Sequence, residues 1–167
     1  MVREDFDKEF EIQKPETMTK AVTIKTTFSR ETSIRITIHS DPVIIWKLLT
    51  TADDFPRWNS TVVSIEGEIA IGNKIKLKST LDPKRTFKLT IKEAEPGKKL
   101  VWGDGQGNRV YQINKTGSGT VEFSMTEKIG GLMFPLYAKY IPPFDEAFEK
   151  FAGDLKKESE SIYNFKN

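Results

Sequence analysis

The sequence contains no cysteine, and His39 is its only histidine. Without cysteine the chain can form neither a disulfide nor a thiolate nucleophile, and it offers no sulfur ligand to a metal ion. A single histidine also excludes a histidine-rich metal site. We therefore expect neither a bound metal nor a cofactor.

Long apolar runs and an excess of one charge are also missing. No run approaches the roughly 20 apolar residues of a membrane-spanning helix. The acidic N-terminus, with Glu4, Asp5 and Asp7, lacks the basic and apolar regions of a signal peptide. The 26 basic residues nearly balance the 24 acidic ones, so no strong field attracts nucleic acid or an anionic membrane. These absences predict a cytoplasmic protein with no nucleic-acid partner and no membrane span.

The composition that is present is typical of one globular domain. Hydrophobic residues make up 37% of the 167 residues and charged residues 30%, unlike the composition of a disordered chain. Residues 1–19 are the exception, because they carry many charges and few large apolar side chains. We expect a mobile polar leader over 1–19 and a single domain over 20–167, as a monomer or weak dimer.

Two alternating segments and two short helices are predicted to open the domain. The alternation over 21–28 indicates an accessory edge strand or part of the leader, and Ile34, Ile36 and Ile38 mark a second strand. Asp41-Pro42 then begins a helix, because Asp caps a helix and Pro suits its first turn. A second helical stretch is expected over 52–58, where Pro56 argues against one continuous helix.

A long antiparallel meander and one long helix are predicted to complete the domain. The strands are expected over 62–66, 74–81, 86–93, 100–102, 109–115 and 120–129. Pro96-Gly97 and Gly117-Ser118-Gly119 supply turns, the second of suitable length for a bulged hairpin. Phe144, Phe148 and Phe151 then form an aromatic stripe at helical spacing. A sheet with one apolar face and such a helix pack as a two-layer α+β domain.

Two segments carry a family resemblance. The segment ITIHSDPVIIWKLLT over 36–50, followed by Phe55-Pro-Arg-Trp-Asn59, resembles the opening of the START-like (SRPBCC) superfamily in its polyketide cyclase/dehydrase-like branch. The similarity continues through Gly72-Asn-Lys-Ile75 and Glu95-Pro-Gly-Lys-Lys-Leu-Val-Trp102 to the C-terminal helix. The resemblance implies a helix-grip fold. Its curved seven-stranded antiparallel sheet wraps around the C-terminal helix, with two short helices after the first strand and a ligand cavity inside.

Strand alternation also predicts which side chains face that cavity. If Phe87 and Leu89 point inward, pairing across the Pro96-Gly97 turn places Trp102 on the same face. The Gly-Ser-Gly hairpin then sets Arg109 opposite Glu127. These two charges would be costly on an apolar face unless they pair or orient a polar ligand group. The alternative is a solvated pair at the open end of the sheet.

The candidate site extends this reasoning to the whole inner face and the last helix. The predicted ligand-binding residues are Trp58, Ile75, Leu77, Phe87, Leu89, Trp102, Arg109, Tyr111, Ile113, Phe123, Met125, Glu127, Phe134, Tyr137, Phe144 and Phe148. Trp58 is interpretable as cavity wall, although a Trp on a short helix more often belongs to the core or to a packing surface. Phe134 and Tyr137 are expected to form either a mobile lid or a simple helix cap. The segment 103–107 is predicted to be a hairpin turn, because it lacks the lysine and following helix of a phosphate loop.

Three functions remain open at this point. We favour binding of a small hydrophobic or amphipathic ligand, such as a lipid, sterol or polyketide-like molecule. The alternative is an aromatase/cyclase or dehydratase-type enzyme, in which a cavity Arg, Tyr or Glu polarises a carbonyl or moves a proton; the shortage of catalytic groups argues against it. Chaperone-stimulating members of the superfamily suggest a third role, a protein-interaction module that acts through its outer surface.

Overall fold

The structure is a computed structural model that describes residues 19–167. The leader predicted over 1–19 therefore lies outside the described residues, apart from Thr19. None of the described helices is long and apolar enough to cross a membrane.

Eight strands form one antiparallel sheet. They are β1 (Val22–Lys25), β2 (Ser29–Ile38), β3 (Val62–Glu66), β4 (Lys74–Ser79), β5 (Asp82–Glu95), β6 (Lys99–Gly103), β7 (Gly107–Gly117) and β8 (Thr120–Gly130). Their order across the sheet is β1-β2-β8-β7-β6-β5-β4-β3. The expectation of seven strands is corrected to eight, because the accessory strand β1 joins the sheet edge. Val22 and Ile24 are exposed, so β1 is held by its backbone ladder with β2 and not by burial of apolar side chains.

Four helices accompany the sheet. They are α1 (Pro42–Thr50), α2 (Phe55–Trp58), α3 (Phe134–Tyr137) and α4 (Asp145–Lys166). The carboxylate of Asp41 accepts a 2.8 Å hydrogen bond from the backbone N–H of Val43, which confirms the predicted cap of α1. A 3₁₀ turn at Ala52–Asp54 leads into α2. The predicted pair of short helices is present, but it follows β2 because β1 precedes that strand.

Two bulges set the register of the strands that carry the candidate site. Between β5 and β6, Glu95 pairs with Lys99, and a bulge before Glu93 then brings Ile91 opposite Trp102. Between β7 and β8, a bulge at the Gly-Ser-Gly turn brings Arg109 opposite Glu127, as predicted. Trp102 pairs with Arg109 across β6 and β7, so the three side chains are neighbours on one face.

Helix α4 lies across the inner face of the sheet, and its middle is tightly packed. The ring of Phe151 lies 5.6 Å from that of Tyr111, 5.9 Å from that of Trp58 and 6.3 Å from that of Phe55. One turn further on, Leu155 is completely buried. The middle of the aromatic stripe is therefore core, and any space for a ligand lies towards the beginning of α4.

Candidate ligand cavity

A cavity of about 160 Å³ lies between the inner face of the sheet and the beginning of α4. Its apolar walls include Leu77, Leu89, Trp102, Met125, Ala147 and Phe148. The exposed residues Leu81, Arg85 and Tyr140 line one end, so the cavity opens to solvent there. An apolar cavity of about 150 Å³ accommodates one benzene molecule, whereas drug-sized ligands occupy roughly 300–1,000 Å³. The volume therefore suits a guest about the size of one ring.

The first turns of α4 explain why this space is unfilled. The helix begins at Asp145, directly after Pro142, Pro143 and Phe144. Its first inward positions include Ala147, whose methyl group is too small to reach across to the sheet. Phe144 and Phe151, three residues before and four residues after Ala147, carry large rings on the same side of the chain. A small residue between two large ones leaves a gap that the sheet does not close.

Arg109 and Glu127 form an ion pair in the cavity wall. The Nε of Arg109 donates to Oε2 of Glu127 at 2.5 Å, and Nη2 contacts the same oxygen. Each side chain retains 19% exposure, and the guanidinium lies 5.1 Å from the centre of the Phe148 ring. Burial lowers the pKa of Arg109, but the Glu127 carboxylate and Tyr111 together outweigh burial and raise that pKa above its ordinary value. The pair lines the cavity near its open end and is largely shielded from solvent.

Tyr111 supplies a second polar group to the same wall. Its side chain is completely buried, and its ring meets that of Trp102 edge-on at 5.0 Å. The hydroxyl lies beside the Arg109 guanidinium, which can only donate, and its own proton has no acceptor of normal hydrogen-bond geometry among the described residues. Burial raises the pKa of Tyr111 to about 12, and the Arg109 cation opposes part of that rise. The hydroxyl is therefore protonated at neutral pH and free to bond with a guest.

Arg30 of β2 fixes the chain segment that leads into α4, and sequence reasoning missed it. Its guanidinium donates to the carbonyl oxygens of Ile141 at 3.2 Å and Pro142 at 2.8 Å. It also lies 4.6 Å from the centre of the Phe144 ring. Burial lowers the pKa of Arg30, although Glu127 and Asp145 partly oppose this effect. A charged residue in an alternating strand resembles an outward-facing one, so its loop partners left no signal in the sequence.

Most of the predicted site residues line the cavity. These are Leu77, Phe87, Leu89, Trp102, Arg109, Tyr111, Met125, Glu127, Phe144 and Phe148. Ile75, Ile113 and Phe123 share the inner face but lie in its packed part, away from the cavity lining. The alternation of side chains along a strand predicts which face of the sheet a residue lies on. It does not predict whether the residue lies at the end of the strand that reaches the cavity.

The remaining predicted residues lie outside the cavity lining. Trp58 is buried against Phe55, with the two ring centres 4.9 Å apart. Phe134 and Tyr137 form the two ends of α3, and their rings meet edge-on at 5.6 Å. These three residues belong to the surrounding scaffold in this structure.

Loop residues complete the open end of the cavity, and no periodicity in the sequence had marked them as lining residues. Asp104 and Gln106 belong to the predicted turn between β6 and β7. The Asp104 carboxylate accepts hydrogen bonds from the backbone N–H groups of Gln106 and Gly107 at 2.8 and 3.2 Å, which confirms a turn at this position. Arg85 stacks over the ring of Phe87 at 4.5 Å on the opposite side. No cluster of acidic or histidine side chains suited to a metal ion occurs within residues 19–167.

Sequence comparison connects this architecture to a family. Residues 39–155 match the family described as "Activator of Hsp90 ATPase homolog 1-like protein". No match is found among curated proteins.

Comparison with solved structures supports the same fold. A conserved protein of unknown function from Enterococcus faecalis has a TM-score of 0.60 at 14% identity, over 87% of this chain and 89% of that one. A START superfamily protein from Mycobacterium smegmatis has a TM-score of 0.58 at 13% identity, over 79% and 98%. A hypothetical protein from Helicobacter pylori reaches 0.62 at 13% identity, over 76% and 86%. The resemblance to the START-like superfamily is confirmed, and the polyketide cyclase/dehydrase-like branch stays a prediction.

Proposed function

Because the chain belongs to the activator of Hsp90 ATPase homolog 1-like family, of START-like fold, we propose that it binds a small, largely apolar molecule in the cavity beneath α4. The observation that carries this proposal is the position of the cavity. The cavity lies where Ala147 faces the sheet, and it ends against the buried ring of Phe151, beyond which Leu155 is completely buried. A localised void with a defined wall is consistent with a binding site.

The composition of the wall supports binding. Small-molecule sites are mostly apolar, with a few polar groups that fix the orientation of the ligand. Here rings and aliphatic side chains surround one ion pair, Arg109 with Glu127, and one unpartnered hydroxyl, that of Tyr111. The cytoplasmic location and the monomeric or weakly dimeric state stay predictions from the sequence.

The same wall is less suited to the enzymatic alternative. Proton transfer is most efficient when the pKa of the catalytic group lies near the working pH. Burial instead raises the pKa of Tyr111 to about 12, away from neutrality. Two nitrogen donors of Arg109 are directed at Glu127, which reduces its capacity to polarise a substrate carbonyl. We therefore favour binding over a cyclase or dehydratase reaction.

Filling the cavity tests the proposal. We expect p-xylene to raise the midpoint of thermal unfolding of the wild-type protein, because a ligand specific for the folded state shifts unfolding by mass action. Ala147→Phe places a ring in the cavity, so its affinity for p-xylene should fall at least about tenfold. Lys157→Phe adds the same ring at an exposed position of α4 and should bind like wild type. Equal binding by both variants, or no binding by wild type, would contradict the proposal.

An outer-surface role is the second candidate, and one observation favours it. Leu132, Met133 and Leu136, between β8 and α4, are 87%, 62% and 66% exposed. Exposed apolar side chains that cluster in this way are typical of interaction sites. The name of the family refers to activation of the Hsp90 ATPase, which makes a chaperone the partner to test. Stimulation of a purified Hsp90 ATPase that persists in Ala147→Phe would separate this role from ligand binding.

A further inference from the structure

The polar groups of the cavity have unused hydrogen-bonding capacity at one point. Nε and Nη2 of Arg109 both contact the Oε2 atom of Glu127, and the Oε1 atom accepts no hydrogen bond from the described residues. The hydroxyl of Tyr111 lies beside the guanidinium of Arg109 and is likewise unpartnered within the described chain. The Tyr111 hydroxyl, which can donate and accept, and the Glu127 Oε1 atom, which can only accept, therefore lie together in the cavity wall.

The charge at this point is balanced. The positive charge of Arg109 is offset by Glu127 in direct contact, so the pair presents no net charge to a guest. An anionic guest would meet the Glu127 carboxylate and a cationic guest the Arg109 guanidinium, each after losing its own hydration. A neutral guest avoids both costs.

A hydroxyl group on the guest best matches the free hydrogen-bonding positions of Tyr111 and Glu127. A hydroxyl both donates and accepts, so it could donate to Oε1 of Glu127 and accept from the hydroxyl of Tyr111. A carbonyl can only accept, and a hydrocarbon can do neither. Building on the proposed binding function, we propose that the ligand is a neutral molecule about the size of one ring, with a hydroxyl group directed at Tyr111 and Glu127.

Four probes of one shape separate this inference from the binding function. They are p-xylene, p-cresol, 4-methylbenzoate and 4-methylbenzylamine, which carry a methyl, a hydroxyl, an anionic and a cationic group on the same ring. Calorimetry on the full chain should give p-cresol an affinity at least about tenfold above that of p-xylene, because its hydroxyl can hydrogen-bond to Tyr111 and Glu127. Both charged probes should bind at least about tenfold more weakly than p-cresol.

Two variants assign the preference to the named side chains. In Tyr111→Phe the advantage of p-cresol over p-xylene should shrink at least about threefold, because the hydroxyl that donates to the guest is gone. Tyr137→Phe removes the same hydroxyl outside the cavity lining and should keep the full advantage. Glu127→Gln removes the negative charge that offsets Arg109, so the affinity for the anion 4-methylbenzoate should rise at least about tenfold relative to that for p-cresol. If Glu127→Gln does not fold, the Tyr111→Phe comparison decides alone.

The outcomes distinguish the two proposals. Equal affinity of wild type for p-xylene and p-cresol would overturn the hydroxyl inference and leave the binding function intact. Tighter binding of either charged probe than of p-cresol would overturn the inference in the same way. Binding of none of the four probes would overturn both.

Discussion

Tyr111 occupies a position where its ring is well packed and its hydroxyl is not satisfied. The ring contacts Trp102 and Phe151 with centre distances of 5.0 and 5.6 Å. A buried hydroxyl without a partner costs about 1–3 kcal/mol of stability. Such a group destabilises the ligand-free protein, but it discriminates strongly among guests because the right guest removes the cost.

The raised pKa of Tyr111 predicts a loss of stability at high pH. The folded-state pKa is about 12, whereas an unfolded tyrosine titrates near about 10. Between these values the unfolded chain releases the tyrosine proton and the folded chain retains it, so rising pH favours unfolding. We expect the free energy of unfolding to fall by about 2–3 kcal/mol more in wild type than in Tyr111→Phe between about pH 10 and 12.

Urea denaturation at a series of pH values measures this difference. The comparison with Tyr111→Phe isolates the contribution of this one hydroxyl, because every other ionisable group is common to both proteins. Tyr163→Phe serves as the control and should follow wild type. Parallel curves for wild type and Tyr111→Phe would show that Tyr111 titrates normally.

At the residue scale, the sequence predicted contacts within a hairpin but not contacts with loops. The pairing of Arg109 with Glu127 was deducible because the loop between β7 and β8 is short enough to limit the register. The contacts of Arg30 with Ile141 and Pro142 join residues 111 and 112 positions apart through an irregular segment. No periodicity predicts where such a segment lies, so the role of Arg30 could only be observed in the structure.

At the element scale, one correct prediction depended on two compensating features. A two-residue turn at Pro96-Gly97 would pair Glu95 with Lys98, but Glu95 in fact pairs with Lys99. That one-residue shift alone would move Trp102 to the outer face. The bulge before Glu93 shifts the register back, so Ile91 lies opposite Trp102. Trp102 therefore lies buried on the inner face, because the bulge cancels the shift at the turn.

Arg30 predicts how the segment before α4 is held in place. Lysine keeps the charge but lacks the planar fork that reaches two carbonyl oxygens at once. Arg30→Lys should therefore lower the free energy of unfolding by about 1–3 kcal/mol and increase hydrogen exchange over residues 138–144. Arg35→Lys changes an exposed residue of the same strand and should have little effect. Unchanged exchange in Arg30→Lys would indicate that other contacts hold this segment.

At the scale of the whole molecule, the interface between sheet and α4 divides into two parts. One part, around Phe151 and Leu155, is closed, because both side chains are buried and the Phe151 ring lies tilted against that of Tyr111 at 5.6 Å. The other, around Ala147, leaves the cavity of about 160 Å³. The aromatic stripe predicted both the helix and its inward face, but a sequence pattern does not report the distance between two surfaces. Stability is therefore expected to depend mainly on the first part and ligand binding on the second.

Truncation of the packed part tests this division. Leu155 is fully buried and does not line the cavity, so Leu155→Ala should lower the free energy of unfolding by about 2–5 kcal/mol through lost contacts and a new void. Its folded state should still bind p-xylene within about threefold of wild type, because distant sites act nearly independently. Ala147→Phe should show the opposite pattern, with lost binding and a smaller change in stability. Chemical denaturation and calorimetry on the two variants measure both quantities. A tenfold or greater loss of affinity in Leu155→Ala would mean that the two parts of the interface are coupled, and that the shape of the cavity depends on the packing of the whole helix.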